Sequence, residues 1–291
     1  MNGIIIVNKE KGISSFFQIK LINRILGCKK IGHAGTLDPL ATGVLVVLLN
    51  DATKLSDYLI NDTKEYEVEI TIGIKSDTYD ITGNIEEEVK VNKISDVDNV
   101  LKSFLGKSMQ KPPIYSAIKQ QGMKLYEKAR EKMDIKVEPR EIFIDEICRI
   151  SDILYVDNKA VFSFKVKVSK GTYIRSLCVD IGNKLGYPAL MSNLIRLKSG
   201  EFRLEDSYSM DDIKSGNFKI INMLDALKRY SIIEVNNEVY KLVLNGRIIE
   251  KKLLNTKGEL AEDLLVLKYN NNLLAIYEKK DEYYKAKRIW K

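Results

Sequence analysis

Two stretches of strict alternation constrain the fold of this 291-residue chain more than any other feature. Residues 65–72, EYEVEITI, and residues 162–168, FSFKVKV, carry apolar side chains at every second position. A period of two is typical of a β-strand that buries one face against a core. Both stretches are therefore predicted to be strands with one buried face.

Other segments add strands and helices in no regular order. The apolar runs at residues 3–9 and 44–49 are predicted to be strands. A helix capped by Ser14 or Ser15 is predicted to end at Gly27, and further helices are predicted at residues 52–60, 95–105, 123–132 and 172–185. Because these elements do not alternate as βαβ units, we expect an α+β fold with a largely antiparallel mixed sheet.

The sequence changes character near residues 226–231. From there the chain carries one short helical pattern, NEVYKLVLNG, and three strand-like runs, LLVLKY, LLAIY and YYKAKRIW. A module of roughly 60 residues is near the lower limit for independent stability. We therefore predict two domains, residues 1–228 and a small β-rich domain at residues 229–291.

The net charge of +7 is unevenly distributed along the chain. Residues 102–140 hold ten basic and four acidic side chains, whereas residues 61–100 hold four basic and eleven acidic ones. A second basic segment, residues 279–291, has six basic and two acidic residues. Basic segments that also carry tyrosines suit a phosphate backbone with stacked bases, and a solvated surface is the alternative explanation.

Three widely spaced cysteines, Cys28, Cys148 and Cys178, form no CxxC pair. Neither a disulfide framework nor a zinc site is indicated, and a reducing cytoplasm suits such a chain. The sequence has no run of about 20 apolar residues, and the apolar stretch after Met1 lacks a basic start. We therefore expect neither a membrane span nor a secretion signal.

The most informative short stretch is GHAGTLDPLATG, residues 32–43, which is predicted to be a loop and holds the only histidine of the chain. It matches neither the P-loop nor the dinucleotide-binding glycine pattern. Pro39 fixes the backbone just after Asp38, and the glycines allow a large ligand to approach closely. Without a cofactor motif or a metal cluster, Asp38 is left to act alone as nucleophile or base. A structural histidine and a turn aspartate are the competing interpretations.

The segment GHAGTLDPLATGVL resembles the catalytic signature of the TruB family of pseudouridine synthases. Further family-like segments follow in order: EYEV at residue 65, SDTYDITG at 76, QKPPIYSAIKQQGMKLYEKAR at 110, SKGTYIRSL at 169 and NLIRLKSGEF at 193. The resemblance spans residues 3–207, and the tail resembles the small PUA-type RNA-binding domain of the family. It implies a pseudouridine synthase catalytic domain with an RNA-binding insertion at about 102–140.

The resemblance implies isomerisation of uridine 55 in the T loop of tRNA. The target base is flipped out of its stack, the C1′–N1 bond is cleaved, the uracil rotates, and C5 is joined to C1′. Because this reaction is redox-neutral, no cofactor is expected. Asp38 corresponds to the essential aspartate of the family, which acts as nucleophile or, in the competing proposal, as base toward the ribose.

The same resemblance assigns roles around Asp38. His33 matches the histidine that sits where the target base leaves its stack, and Tyr66 matches the tyrosine that stacks on the flipped uracil. Arg175 matches the arginine that pairs with the aspartate, and Tyr173 lines the pocket. The residues alone do not decide between these roles and two simpler ones, in which Tyr66 is a core side chain and Arg175 forms a surface ion pair.

The resemblance extends to the pocket wall and the RNA contacts. The apolar wall is assigned to Leu194, or to Leu197 in a shifted register. Lys9 matches a family lysine near the active site, but Glu10 stands where the family has proline. Phosphate contacts are expected from four lysines of the basic insertion: Lys107, Lys111, Lys119 and Lys124.

Asp77 and Asp80 lie three residues apart in SDTYDITG and are predicted to build a turn. No further ligand accompanies them, so no metal site is expected. The leading hypothesis is a stand-alone cytoplasmic enzyme that acts on the T arm of tRNA as a monomer, without guide RNA. The alternatives are a tRNA-folding RNA-binding protein whose catalysis is secondary and a guide-RNA-dependent pseudouridine synthase.

Overall fold

A computed structural model of the protein describes residues 1–60, 63–116, 118–120, 122–125, 128, 131, 137–254 and 263–290, with the backbone alone at residues 119, 120 and 124. The strands in this part of the chain are β1 (Gly3–Lys9), β2 (Ile31–Ala34), β3 (Thr42–Leu49), β4 (Lys64–Ile72), β5 (Ile74–Ser76), β6 (Ile85–Glu88), β7 (Gly106–Gln110), β8 (Lys119–Gln120), β9 (Met123–Lys124), β10 (Arg140–Arg149), β11 (Leu154–Val156), β12 (Lys159–Val168), β13 (Ala189–Ser199), β14 (Phe202–Arg203), β15 (Ser231–Glu234), β16 (Ile249–Glu250), β17 (Leu264–Tyr269), β18 (Asn272–Lys279) and β19 (Tyr283–Ile289). The α-helices are α1 (Ser15–Leu26), α2 (Ser56–Leu59), α3 (Val97–Lys102), α4 (Ile174–Leu185), α5 (Met210–Ser215) and α6 (Asn237–Leu244). Short 3₁₀ segments span Asn50–Leu55, Leu204–Asp206, Asp225–Leu227 and Lys251–Leu253.

A large sheet forms the centre of the molecule, in the strand order β1-β3-β13-β4-β12-β10-β7. Strands β2, β14 and β11 add to it by pairing with β3, β13 and β12. Its pairings are antiparallel apart from β3 with β13, which run parallel through Thr42–Ile195 and Gly43–Arg196. The predicted α+β fold with a largely antiparallel mixed sheet is confirmed.

The alternating stretches form neighbouring strands of this sheet, as their pattern predicts. On β4, Tyr66 and Val68 point into the core, and on β12 so do Phe162 and Phe164. Helix α4 covers this face through residues such as Leu177. Full burial of a large apolar side chain contributes about 2 kcal/mol, so the alternation fixes which face of each strand meets the helix.

Helix α1 has the limits that its capping residues predict. The Ser14 side chain accepts a hydrogen bond from the backbone N–H of Phe17 (3.1 Å), and the helix ends at Gly27, whose φ is +62°. The buried face of the helix, including Ile19 and Ile22, packs on residues of β1 and β3. The opposite face is exposed to solvent.

A second sheet, in the order β15-β17-β18-β19-β16, forms the β-rich C-terminal part. Val239 of α6 packs in its core. Trp290 and Leu273 pack against Leu55 in a cluster shared with the large sheet, and Trp290 Nε1 donates to the Asp51 carbonyl (3.1 Å). The small sheet is thereby joined to the 3₁₀ segment that follows β3.

Several local predictions need correction. His33 lies in β2 and not in a loop, because residues 31–34 pair with β3 and extend the large sheet. Helix α3 is shorter than the predicted 95–105, since the chain enters edge strand β7 soon afterwards. Residues 123–124 form strand β9, and most of the predicted helix at 123–132 lies outside the described residues. In the part of the chain that the structure describes, no helix is long and apolar enough to cross a membrane.

Candidate active site

Asp38 lies on the short loop between β2 and β3, and residues at the start of α1 and just before it fasten this loop on both sides of Asp38. The Ser15 hydroxyl donates to the Leu37 carbonyl (3.0 Å) and accepts from the Leu37 N–H (2.9 Å). The Gly12 N–H donates to the Pro39 carbonyl (2.8 Å). These bonds fix the neighbours of Asp38 while its side chain stays partly exposed to solvent.

Lys9 lies behind this loop with its side chain almost fully buried. Its Nζ donates to the carbonyls of Glu10 (2.7 Å), Ile13 (2.6 Å) and Pro39 (3.3 Å), which matches the three donors of an ammonium group. Burial lowers the pKa of Lys9 to about 8, an effect that the nearby Asp38 carboxylate opposes. In this arrangement Lys9 holds the loop from inside the protein.

Glu10, at the position where the resemblance leads us to expect proline, makes a hydrogen bond that a proline could not make. Its backbone N–H donates to Oε1 of the fully buried Gln18 (3.0 Å). Proline has no N–H, so the substitution adds an anchor between the end of β1 and helix α1. The departure therefore has a structural role of its own.

Arg175, in the first turn of α4, contacts both oxygens of the Asp38 carboxylate. Its Nη2 donates to Oδ1 (3.1 Å), and its Nε lies 2.8 Å from Oδ2. The guanidinium also donates to the carbonyls of Thr78 and Tyr115, both at 3.0 Å. The Arg175 side chain is 7% exposed and the Asp38 side chain 34% exposed, so a buried cation orients a carboxylate that remains accessible.

Asp80 brings a second carboxylate to the same guanidinium, a contact that the sequence analysis missed. Its Oδ2 lies 4.0 Å from Arg175 Nε. Its Oδ1 accepts from the N–H (2.9 Å) and hydroxyl (2.6 Å) of Thr82 and from the hydroxyl of Thr78 (3.0 Å). These bonds form the predicted turn, and they also place a buried negative charge beside Arg175.

Arg196 is the main residue of the site that the sequence analysis did not identify. It is fully buried on β13, and its guanidinium donates to the carbonyls of Val44 (2.8 Å), Gly35 (3.0 Å) and Thr36 (3.3 Å). It thus supports the loop that carries the candidate carboxylate. The available signal was an arginine two positions after Leu194, where the alternation of the strand calls for an apolar side chain.

Tyr66 and Leu194 stand on the neighbouring strands β4 and β13, and both are nearly buried. They belong to one apolar cluster with Leu37 and Leu40, which lie on either side of the candidate carboxylate. This cluster forms an apolar wall beside the site. Among the described residues it does not include Leu197, the alternative wall residue, which is half-buried.

Tyr173 immediately precedes α4 and is held by Gln110. The Tyr173 N–H donates to Gln110 Oε1 (2.8 Å), and its carbonyl accepts from Gln110 Nε2 (3.1 Å). Burial raises the pKa of the Tyr173 hydroxyl. Because Arg175 follows two residues later, this anchor also fixes the start of the helix that carries the guanidinium.

His33 lies opposite Val47 on the β2–β3 ladder and is half-buried. Burial, and then the Arg196 charge, lower the pKa of His33, so the imidazole is neutral at pH 7. Its Nδ1 is buried and has no hydrogen-bond partner among the residues that the structure describes. A neutral aromatic ring with an unused polar atom therefore lies on β2, the strand that leads directly into the loop.

The four predicted phosphate-binding lysines are only partly covered by the structure. Lys107 is exposed in a surface ion pair on β7. Lys111 is exposed, and its carbonyl accepts from the Ser176 hydroxyl (2.9 Å) of α4, next to the arginine of the site. Lys119 and Lys124 stand on β8 and β9, and their side chains lie outside the described residues.

The chemistry available to this arrangement is that of one oriented carboxylate. Within the described ranges, no group of three or more His, Cys, Asp or Glu side chains is placed to hold a metal ion. Asp38 and Asp80 both contact the Arg175 guanidinium. An accessible carboxylate beside an apolar wall can attack a bound substrate or take a proton from it.

The chain is similar to known proteins over nearly its whole length. Residues 23–174 match the family model described as TruB family pseudouridylate synthase (N terminal domain), and residues 175–229 match the model of the tRNA pseudouridylate synthase B C-terminal domain. The chain is 41% identical over 293 residues to the tRNA pseudouridine synthase B of Clostridium tetani, with 99% of each chain covered. It is 38% identical over 298 residues to that of Streptococcus sanguinis, with 100% of each covered.

Solved structures extend the comparison to the fold. The chain is similar to one in an H/ACA ribonucleoprotein bound to a substrate RNA containing 2′-deoxyuridine, with a TM-score of 0.70 and 22% identity over 99% of this chain and 85% of that one. A chain of an archaeal box H/ACA complex gives a TM-score of 0.70 at 23% identity, covering 99% and 86%. These TM-scores establish a shared fold. The family matches and the full-length relatives show that the chain belongs to the TruB family of pseudouridylate synthases and is an enzyme of that class.

Proposed function

We propose that this enzyme converts uridine 55 in the T loop of tRNA to pseudouridine, with Asp38 acting on the target nucleoside. The observation that carries the proposal is the Asp38 carboxylate, which Arg175 orients from inside while one side stays accessible. The substrate is supported by relatives named tRNA pseudouridine synthase B, which match this chain over nearly its whole length.

In this proposal the target uridine is flipped out of the T loop, and Asp38 attacks C1′ or removes a proton from the ribose. The C1′–N1 bond breaks, the uracil turns against the wall formed by Tyr66 and Leu194, and C5 bonds to C1′. The C5 hydrogen leaves as a proton and N1 gains one, so the product is an isomer of the substrate. Tyr173 lines the pocket, and the neutral His33 ring takes the place of the departed base.

Binding of the RNA is assigned to groups outside this pocket. Lys107, Lys111, Lys119 and Lys124 contact phosphates of the T arm, while Lys9 acts by holding the loop. Residues 1–228 form the catalytic domain, and the PUA-type domain at 229–291 adds a second RNA surface. The enzyme works as a monomer without guide RNA.

The test is tritium release from a T-arm stem-loop labelled at uracil C5, without guide RNA or cofactor. Wild-type protein is expected to release tritium, and Asp38→Asn protein is expected to bind the RNA without releasing it. Asp211→Asn, an exposed carboxylate on α5, is the matched control and should behave as wild type. RNA binding by wild type without tritium release would instead support the guide-dependent or RNA-folding alternatives.

A further inference from the structure

Helix α1 presents an exposed face on which aromatic and basic side chains lie together. Phe16 is 59% exposed and Phe17 is 46% exposed, and Lys20 and Arg24 share this face. The opposite face packs on the core. Two consecutive, partly exposed phenylalanines therefore form a small apolar surface beside basic side chains.

The exposed rings stand at the end of α1 that borders the candidate active site. Ser15, directly before Phe16, is hydrogen-bonded through its hydroxyl to both the N–H and the carbonyl of Leu37, the residue before Asp38. Phe16 and Phe17 therefore follow the anchor of the loop by one and two residues. A substrate whose target nucleotide reaches Asp38 brings neighbouring nucleotides to this end of the helix.

The charge around the rings favours a nucleic acid as the occupant. Residues 11–37 include five lysines and arginines and no acidic residue. The Lys20 ammonium lies 4.5 Å from the centroid of the Phe16 ring, within the range of a cation–π interaction. A second copy of this chain would bring the same positive face and be repelled. Positive charge interleaved with aromatic faces is typical of surfaces that bind unpaired nucleotides.

We infer that Phe16 and Phe17 form a stacking platform for an unpaired base of the substrate RNA loop, one that is not itself modified. Lys20 and Arg24 contact the phosphates flanking that base. The inference rests on the proposed function, because it takes an RNA loop as the substrate. It adds a binding position outside the pocket that receives the target uridine, and it acts on RNA affinity, not on the reacting atoms.

The test is a Phe16→Leu/Phe17→Leu double variant, which keeps apolar side chains but removes the ring planes. RNA stem-loops carry 2-aminopurine at each unpaired position in turn, so that stacking is read as quenching of its fluorescence. Because stacking of a base on an aromatic ring contributes to RNA affinity, the variant should bind RNA about tenfold more weakly and lose quenching at one position. Tritium release at saturating RNA should be unchanged. Ile25→Ala, 40% exposed on the same helix, is the control and should match wild type.

A Phe16→Tyr/Phe17→Tyr variant keeps the rings and should restore both affinity and quenching. Wild-type affinity and quenching in the leucine variant would overturn the inference. The inference would also be overturned if wild type self-associated in sedimentation and the leucine variant did not, while both bound RNA equally well. The face would then be an interface between copies of the chain. The two proposals fail separately: a wild-type protein that releases no tritium, yet binds RNA through the rings, contradicts the catalytic proposal and supports the platform.

Discussion

Arg175 holds the Asp38 carboxylate from 137 residues away in sequence, with Nη2 at 3.1 Å from Oδ1 and Nε at 2.8 Å from Oδ2. The same guanidinium is bound to the carbonyls of Thr78 and Tyr115. A planar fork with several donors makes these contacts at once, whereas a lysine ammonium is a single point of charge. The orientation of the carboxylate therefore depends on the shape of arginine as well as on its charge.

Replacing Arg175 by lysine should lower the rate of tritium release at saturating RNA by about 100-fold, since small misplacements of a reacting group have effects of that size. RNA affinity should change little. Arg149→Lys, which alters an arginine paired with Asp98 at the surface, is the matched control and should retain activity. An Arg175→Lys enzyme with wild-type turnover would show that the fork does not orient Asp38.

Gly43 should not tolerate a side chain. Its φ is +100°, and a Cβ there would lie 2.3 Å from the Arg196 carbonyl on the parallel strand β13. Gly43→Ala is expected to lower the free energy of unfolding by about 3 kcal/mol through overpacking. Gly27→Ala, at φ +62° with open space around it, isolates backbone strain and should cost about 1 kcal/mol. If Gly43→Ala and Gly27→Ala lowered the free energy of unfolding in urea equally, the clash at Gly43 would be contradicted.

Removing the buried guanidinium of Arg196 should destabilise the protein and the loop. Arg196→Met leaves the carbonyls of Gly35, Thr36 and Val44 without their donor, and at about 1 kcal/mol per lost bond the free energy of unfolding should fall by about 3 kcal/mol. Turnover should fall as well. Lys198→Met, on the same strand but in a partly exposed ion pair, should have little effect on either measurement.

Stability should rise with pH above about 8 because of buried lysines. Burial lowers the pKa of Lys64 to about 8, with Arg196 and Lys170 acting in the same direction, while the unfolded chain returns it to near 10.5. Between these two pKa values the lysine is protonated in the unfolded chain and largely neutral in the folded protein. Each such lysine therefore raises the free energy of unfolding by up to about 1.4 kcal/mol per pH unit. Lys9, whose pKa burial also lowers to about 8, contributes to the same rise in stability with pH.

The measurement is urea unfolding of wild type and Lys64→Met across that pH window. The difference in unfolding free energy between the two proteins should narrow or reverse as pH falls toward 8, because the variant lacks the group that is costly to keep charged when buried. Lys198→Met again serves as the control. A difference that does not change with pH would contradict the lowered pKa.

Much of the fold follows from local sequence. Period-two alternation predicts β4 and β12, and it places Tyr66 on the buried face. Ser14 and Gly27 predict the limits of α1. His33 was wrongly expected in a loop, because residues 32–34 are glycine, histidine and alanine, and this segment becomes a strand only by pairing with β3.

The sequence by itself determined strands such as β4 and β12, the caps of α1, the family and the candidate carboxylate, because periodicity, capping and motif are properties of short segments. Tertiary structure decided how the site is assembled. Asp38 meets Arg175, and Arg196 reaches the carbonyls of Gly35 and Val44, only because β13 lies beside β3 and α4 packs across the sheet. Such contacts join residues far apart in sequence, and strand order, not local preference, brings them together.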